Sequence, residues 1–145
     1  MRNRVDVMHG VNFDVLERRP GDYYGGLKLM ELELRIKHFA GEIGLEPRFF
    51  QTNQEGEFCE LLHRAGERAD ALVLNPGAWT HYSWAIRDAL EISQLPAVEV
   101  HLSEVDDREE WRRTSVIRDL CVGRVQGKGV DGYREALEIV GKELL

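Results

Sequence analysis

The sequence predicts an α/β domain in which parallel strands form one sheet covered by helices on both faces. Two observations carry that expectation. Short apolar runs alternate with segments of helical periodicity from one end of the chain to the other, and five such runs can be counted. No internal repeat, linker or low-complexity tract interrupts the pattern, so one domain spanning residues 1–145 is expected.

Val5 to Met8 reads as the first strand. A helix follows in which Leu29, Leu32, Ile36, Phe39, Ala40 and Ile43 recur at helical spacing, with Gly44 as its stop. Arg48 to Gln51 is the second strand. The next helix, Glu55 to Arg68, turns Phe58, Leu61, Leu62 and Ala65 inward. Ala71 to Leu74 forms the third strand, and Ser83 to Ile92 a helix with Ala85, Ile86 and Ala89 toward the core. Ala97 to Leu102 is the fourth strand, Cys121 to Gln126 the fifth, and Gly132 to Leu144 the closing helix. Alternation of this kind implies a parallel sheet, and five strands favour the order 2-1-3-4-5 of a flavodoxin-like three-layer sandwich.

At 145 residues the chain is long enough to bury a sizeable core. Its 43% hydrophobic and 31% charged content are globular values, and no apolar run approaches the length a membrane span needs. A net charge of -7 and a pI near 5.3 disfavour nucleic acid and anionic membranes as partners, while leaving room for a local cationic pocket that takes a small anion. Arginines near the N-terminus are followed by no apolar stretch of the secretory kind, so the cytoplasm is the expected location. Cys59 and Cys121 have no spacing that marks a disulfide or a metal site.

In open parallel sheets ligands bind beyond the carboxyl ends of the strands, near the point where strand order reverses. Three strand tails are polar there: His9 to Asn12, Asn75 to His81, and His101 to Ser103. Glu99 and His101 are two apart on one strand, so they share a face. The pair fits either a core histidine satisfied by a buried glutamate or an acid/base histidine oriented by a carboxylate. Asn75-Pro76-Gly77 fits a simple turn, but His81 at the next helix start, with Asn75 and Ser103 as neutral donors, also suits a carboxylate or polyol. His9, His38 and His63 show no partner by spacing and read as structural or surface residues.

Gly10 to Gly26 is long for a connection in a compact domain and reads as a lid over the strand tips. Within it, Tyr23-Tyr24 stands beside Arg18-Arg19. A phenol titrating near 10 is a poor base at neutral pH, but adjacent cations favour the phenolate, so Tyr24 fits either a packing aromatic or a proton acceptor. Arg108, Arg112 and Arg113 surround Trp111, expected as the buried member of a short helix. Arg108 and Arg112 fit a solvated face or a fork for a carboxylate. Arg87-Asp88 reads as an exposed pair or as a reach toward a neighbouring subunit.

Together these segments resemble type II 3-dehydroquinate dehydratase over nearly the whole chain. The resemblance rests on Gly10-x-Asn12, Leu16-x-x-Arg19, Tyr24-Gly25, Gln51-x-Asn53-x-Glu55-Gly56 and Asn75-Pro76-Gly77-Ala78-x-Thr80-His81-x-Ser83. It continues through Arg87-Asp88-Ala89, Glu99-Val100-His101-Leu102-Ser103, Arg108-Glu109, Arg112 and Gly127-x-Gly129-x-x-Gly132-Tyr133. The resemblance implies a flavodoxin-like fold and dehydration of 3-dehydroquinate to 3-dehydroshikimate by anti elimination through an enolate, in the shikimate or quinate pathway. By the same resemblance Tyr24 removes the C2 proton, Arg19 keeps its phenolate accessible, His101 protonates the C1 hydroxyl and Glu99 orients the imidazole. Asn12 helps hold a water that stabilises the enolate, and Asn75, His81, Leu102, Ser103 and Arg112 bind the substrate. Arg108 shares their environment, and Asp88 reaches a neighbouring active site in a dodecamer built from trimers. No cofactor, metal or imine-forming lysine is implied, and Lys28, Lys37, Lys128 and Lys142 all lie away from strand tips.

The lid departs from the family pattern at Val11, Glu17, Pro20 and Gly21, where the family carries proline, glycine, an acidic residue and proline. A changed lid geometry is expected. Glu104 and Asp106 replace the family's asparagine and histidine, and their added negative charge is expected to weaken binding of an anionic substrate. A noncatalytic polyol-carboxylate-binding protein of the same fold is the alternative from another class. A flavin or phosphoacceptor module lacks the acidic pair and glycine loop it would need after the first strand, and Glu99, His81 and His101 do not make a full metal-ligand set.

Overall fold

The strands β1 (Arg4–His9), β2 (Glu46–Gln51), β3 (Ala71–Asn75), β4 (Ala97–His101) and β5 (Gly123–Gln126) pair in the order β2-β1-β3-β4-β5. All four pairings are parallel, as the alternation predicts. The computed structural model describes residues 1–145. Between the strands run α1 (Gly21–Tyr24), α2 (Leu29–Glu42), α3 (Glu55–Arg68) and α4 (Trp84–Ser93), and α5 (Asp131–Leu144) closes the chain.

Alternating side chains of the sheet feed two separate cores. Val5, Val7, Val73, Val98 and Val100 pack with Leu32, Ile36 and Phe39 of α2 and with Tyr133, Leu137 and Val140 of α5. On the other face, Met8, Leu72, Leu74 and Ala97 meet Phe58, Leu62 and Ala65 of α3 and Ile86, Ala89 and Leu90 of α4. The period of two along the strands therefore chooses which helix pair each residue meets. No helix of the chain is long and apolar enough to cross a membrane.

Element boundaries shift by one or two residues from the sequence expectation, and three side chains turn the other way. Ala85 and Ile43 are exposed rather than inward. Trp111, expected as the buried member of its helix, is 48% exposed. Its segment is a short 3₁₀ turn, Glu110–Arg113, where i and i+3 eclipse, so it has no broad face to bury. Leu61 lies at the core edge, partly buried. Cys121 and Val122 precede β5 instead of opening it, although Val122 N–H still donates to the Ala97 carbonyl.

The strand tips are pinned by close backbone approach. A side chain on Gly10 would place its Cβ 2.2 Å from the Pro76 carbonyl oxygen, so only glycine lets the β1 tail lie against the Asn75-Pro76-Gly77 turn. Gly10 N–H donates to the Asn75 carbonyl at 2.8 Å, and Gly77 N–H to the Asn75 side-chain oxygen at 3.1 Å. The turn is thus both a turn and part of a built strand edge.

Candidate active site

A cleft at the carboxyl ends of β1, β3 and β4 is lined by Phe13, Arg19, Tyr24, Asn75, Gly77, Ala78, His81, His101, Leu102, Ser103, Val105, Arg108 and Arg112. It encloses about 360 Å³ of empty space, its open mouth included. Nine of the side chains proposed from sequence converge here: Arg19, Tyr24, Asn75, His81, His101, Leu102, Ser103, Arg108 and Arg112. Three arginines among them make a cationic pocket within an acidic protein.

The lid supplies Arg19 and Tyr24. After a left-handed Asn12 (φ 73°), residues 13 to 18 form a 3₁₀ segment that buries Phe13 and Leu16, and Pro20 then starts α1. Glu17 needs no left-handed backbone there, because Asn12 and Gln94 are the only non-glycine residues with positive φ. Extended Arg19 (φ -84°, ψ 156°) accommodates the proline that follows it. The departures at Glu17 and Pro20 therefore leave the lid seated, with Tyr24 in the cleft. Arg19 Nη2 donates to the Tyr24 hydroxyl at 2.7 Å while its guanidinium lies 4.4 Å from the ring centroid. Arg108 Nη1 donates to the same oxygen at 2.7 Å and to Ser103 Oγ at 3.4 Å. Two cationic donors on one phenol oxygen stabilise negative charge there.

β4 supplies Glu99 and His101 on one face, as their spacing requires. His101 Nε2–H donates to Glu99 Oε2 at 2.6 Å, leaving Nδ1 as the ring nitrogen free for other work. Glu99 is fully buried, behind the histidine and outside the cleft lining. Burial by itself would raise its carboxyl, but His101, Ser115 and Arg124 outweigh that and hold it at about 2. Ser115 Oγ donates to Oε1 at 2.7 Å and Arg124 Nε to Oε2 at 3.1 Å. Neither Ser115 nor Arg124 was expected from sequence.

His81 closes the opposite wall, its ring 6.3 Å from that of His101. Its Nδ1–H donates to the Thr114 carbonyl at 2.7 Å, which directs Nε2 to other partners. Burial lowers its affinity for a proton, and the charges of His101 and Arg112 act the same way, so it offers a neutral imidazole. Ser83 caps α4 just beyond, accepting from Ile86 N–H at 3.1 Å. Trp111 lies edge-on to His81 at 5.3 Å and carries Arg112 over its indole at 4.1 Å, so the exposed tryptophan forms a rim for both.

Three proposed residues lie outside the lining. Glu99 meets the cleft only through its bond to His101. Asn12 is exposed, with its backbone N–H bonded to Asn53 Oδ1 at 2.8 Å. Asp88 is exposed on α4, and its neighbour Arg87 binds Asp119 at 2.9 Å and the Val116 carbonyl at 2.8 Å within this chain, not Asp88. His9 is fully buried and packs its ring on Phe13 and Phe49, with Nε2 3.1 Å from the Glu33 carboxylate but no aligned hydrogen bond at either ring nitrogen. His38 pairs with Glu42 at 2.9 Å one helical turn on. No three His, Cys, Asp or Glu side chains are grouped as metal ligands. Asp106, far from adding free negative charge, accepts from Gln126 at 2.8 Å and sits 3.7 Å from Arg124.

A cationic cleft with a tyrosine held by two arginines and a histidine backed by a buried carboxylate has the groups that acid/base chemistry on a small anion requires. The comparisons sharpen that class to a family. The model of the family described as "Dehydroquinase class II" matches residues 3–141, and the chain belongs to that family. The 3-dehydroquinate dehydratase of Pelotomaculum thermopropionicum is 46% identical over 134 residues, covering 92% of this chain and 93% of that protein. That of Thermotoga maritima is 45% identical over 141 residues, covering 97% and 96%. The crystal structure of type II dehydroquinase from Butyrivibrio crossotus superposes with a TM-score of 0.91 at 35% identity, covering 96% of this chain and 97% of that one.

Proposed function

We propose that this protein is a lyase that dehydrates 3-dehydroquinate to 3-dehydroshikimate in the shikimate pathway, with Tyr24 and His101 as its proton-transfer pair. Membership of the family and relatives named for this reaction support the activity. One observation carries the residue assignment: the Tyr24 oxygen, bonded by both Arg19 and Arg108, lines the same cleft as His101.

Tyr24 as phenolate takes the C2 proton, and the electron pair moves into the adjacent ketone as an enolate. The enolate then expels the C1 hydroxyl, which leaves as water with the proton given by His101. Glu99 holds the imidazole in place throughout. Arg112, His81, Asn75, Ser103 and Leu102 hold the carboxylate and hydroxyls, with charge-assisted bonds from Arg112. Asn12 is assigned the water that stabilises the enolate.

Assembly of trimers into a dodecamer, with Asp88 reaching a neighbouring site, belongs to the same proposal. It is supported by the exposed Tyr82 (57%) and Trp84 (65%) on the stretch that carries Asp88. A cytoplasmic setting and a single catalytic domain are proposed with it, and a quinate-degrading role uses the same chemistry. The noncatalytic alternative is not favoured, since the acid, the base and the cations are all present in one cleft. The test is to supply 3-dehydroquinate and follow the ultraviolet absorbance of the conjugated enone product. Turnover is expected, and no signal at high protein concentration overturns the proposal.

A further inference from the structure

Arg124 stands on β5 directly opposite Glu99 in the parallel register, with its side chain 13% exposed. Its Nε donates to Glu99 Oε2, the same oxygen that receives the His101 bond. Nη1 lies 3.7 Å from the Asp106 carboxylate, and Nη2 is buried with no partner. Asp106 in turn accepts from Gln126, and its backbone carbonyl accepts from Arg113 at 3.1 Å. Arg124 does not line the cleft, so it reaches substrate only through other residues.

A guanidinium and an imidazolium compete for one carboxylate oxygen. The negative charge that Glu99 spends on Arg124 is not available to hold the proton on His101. Asp106 draws on Arg124 from the other side, and so moderates how much of its charge falls on Glu99. Asp106 also sits in the loop that ends at Arg108, the residue bonded to Tyr24.

We infer that Arg124 is a positioning residue that makes His101 a readier proton donor by sharing the Glu99 carboxylate, with Asp106 setting the strength of that sharing. His101 is faced by Glu99 from its own strand, by His81 from the segment after β3, by Arg108 and Arg112 from the segment after β4, and by Arg19 and Tyr24 from the lid. Glu99 is faced in addition by Arg124 and by the Cys121 thiol. Arg124 is the one charged side chain that touches the dyad from behind without lining the cleft, Ser115 being a neutral donor to the other Glu99 oxygen, so its replacement isolates the charge effect.

The inference rests on His101 as the acid. The experiment is the pH profile of kcat for the wild type and for Arg124→Gln, Arg124→Lys and Asp106→Asn, with folding checked by circular dichroism. Arg124→Gln moves the alkaline limb upward by about half to one unit and lowers kcat about tenfold, with KM within about twofold. Arg124→Lys keeps the limb near the wild-type position. Asp106→Asn moves it downward, because the guanidinium charge then falls on Glu99 undivided. A folded Arg124→Gln whose limb superposes on the wild type, or whose loss lies in KM, overturns the inference. If that variant fails to fold, an unmoved limb in Asp106→Asn does so instead. Near-normal turnover in His101→Ala would defeat the assignment of the acid itself, a separate outcome.

Discussion

Arg108 Nη1 and the Tyr24 hydroxyl meet at 2.7 Å across 84 residues of sequence, joining the lid to the loop after β4. The contact is half of a clamp whose other half is Arg19, five residues from the tyrosine. One cation belongs to the lid and the other to the loop after β4, so the Tyr24 oxygen has both donors with the lid seated over the strand tips.

The clamp predicts coupled losses. Arg108→Gln should lower kcat about 100-fold, since a charged donor on the reacting oxygen is removed. In a Tyr24→Phe background the same substitution should cost little more, because residues acting as a unit are not additive. Steady-state kinetics of the two single variants and the double variant check this.

Glu99 predicts a pH dependence of stability. Its carboxyl is held at about 2 in the folded protein against an ordinary 4.5. A carboxyl held lower in the folded state contributes stability that is fully present above its ordinary value and lost as pH falls toward the folded one. The melting temperature of the wild type should therefore exceed that of Glu99→Gln by a margin that shrinks between pH 5 and about 2.5. Thermal melts across that range measure it.

Gly10→Ala predicts a scaffold defect that spreads to the site. Its Cβ would meet the Pro76 carbonyl at 2.2 Å, and both partners are backbone, so neither yields by rotating a side chain. Urea unfolding should show a loss of about 1–3 kcal/mol or more, accompanied by a raised KM because the same turn positions Asn75.

The fold was legible because the inner strands β1, β3 and β4 are buried on both faces and feed two cores, so they read as mostly apolar runs between periodic helices. The site was legible where its residues are sequence neighbours, as with Glu99 and His101 or Arg19 and Tyr24. Arg124 was not, because an arginine in a short outer strand reads as solvent-facing until the register sets it against Glu99. Trp111 misled for the opposite reason. An aromatic amid charges reads as the buried member of a helix, whereas a 3₁₀ turn left it as a rim over His81. Asp106 looked like an added negative charge because its partners, Arg124 and Gln126, come from a strand about twenty residues further on.

The division of labour between Tyr24 and His101 is tested most directly by proton exchange at C2 of 3-dehydroquinate in heavy water, followed by NMR with Tyr24→Phe and His101→Ala. His101→Ala should still exchange the C2 proton while dehydrating at least about 100-fold more slowly, and Tyr24→Phe should lose exchange and dehydration together. Exchange that persists in Tyr24→Phe at the rate seen in His101→Ala would contradict the assignment.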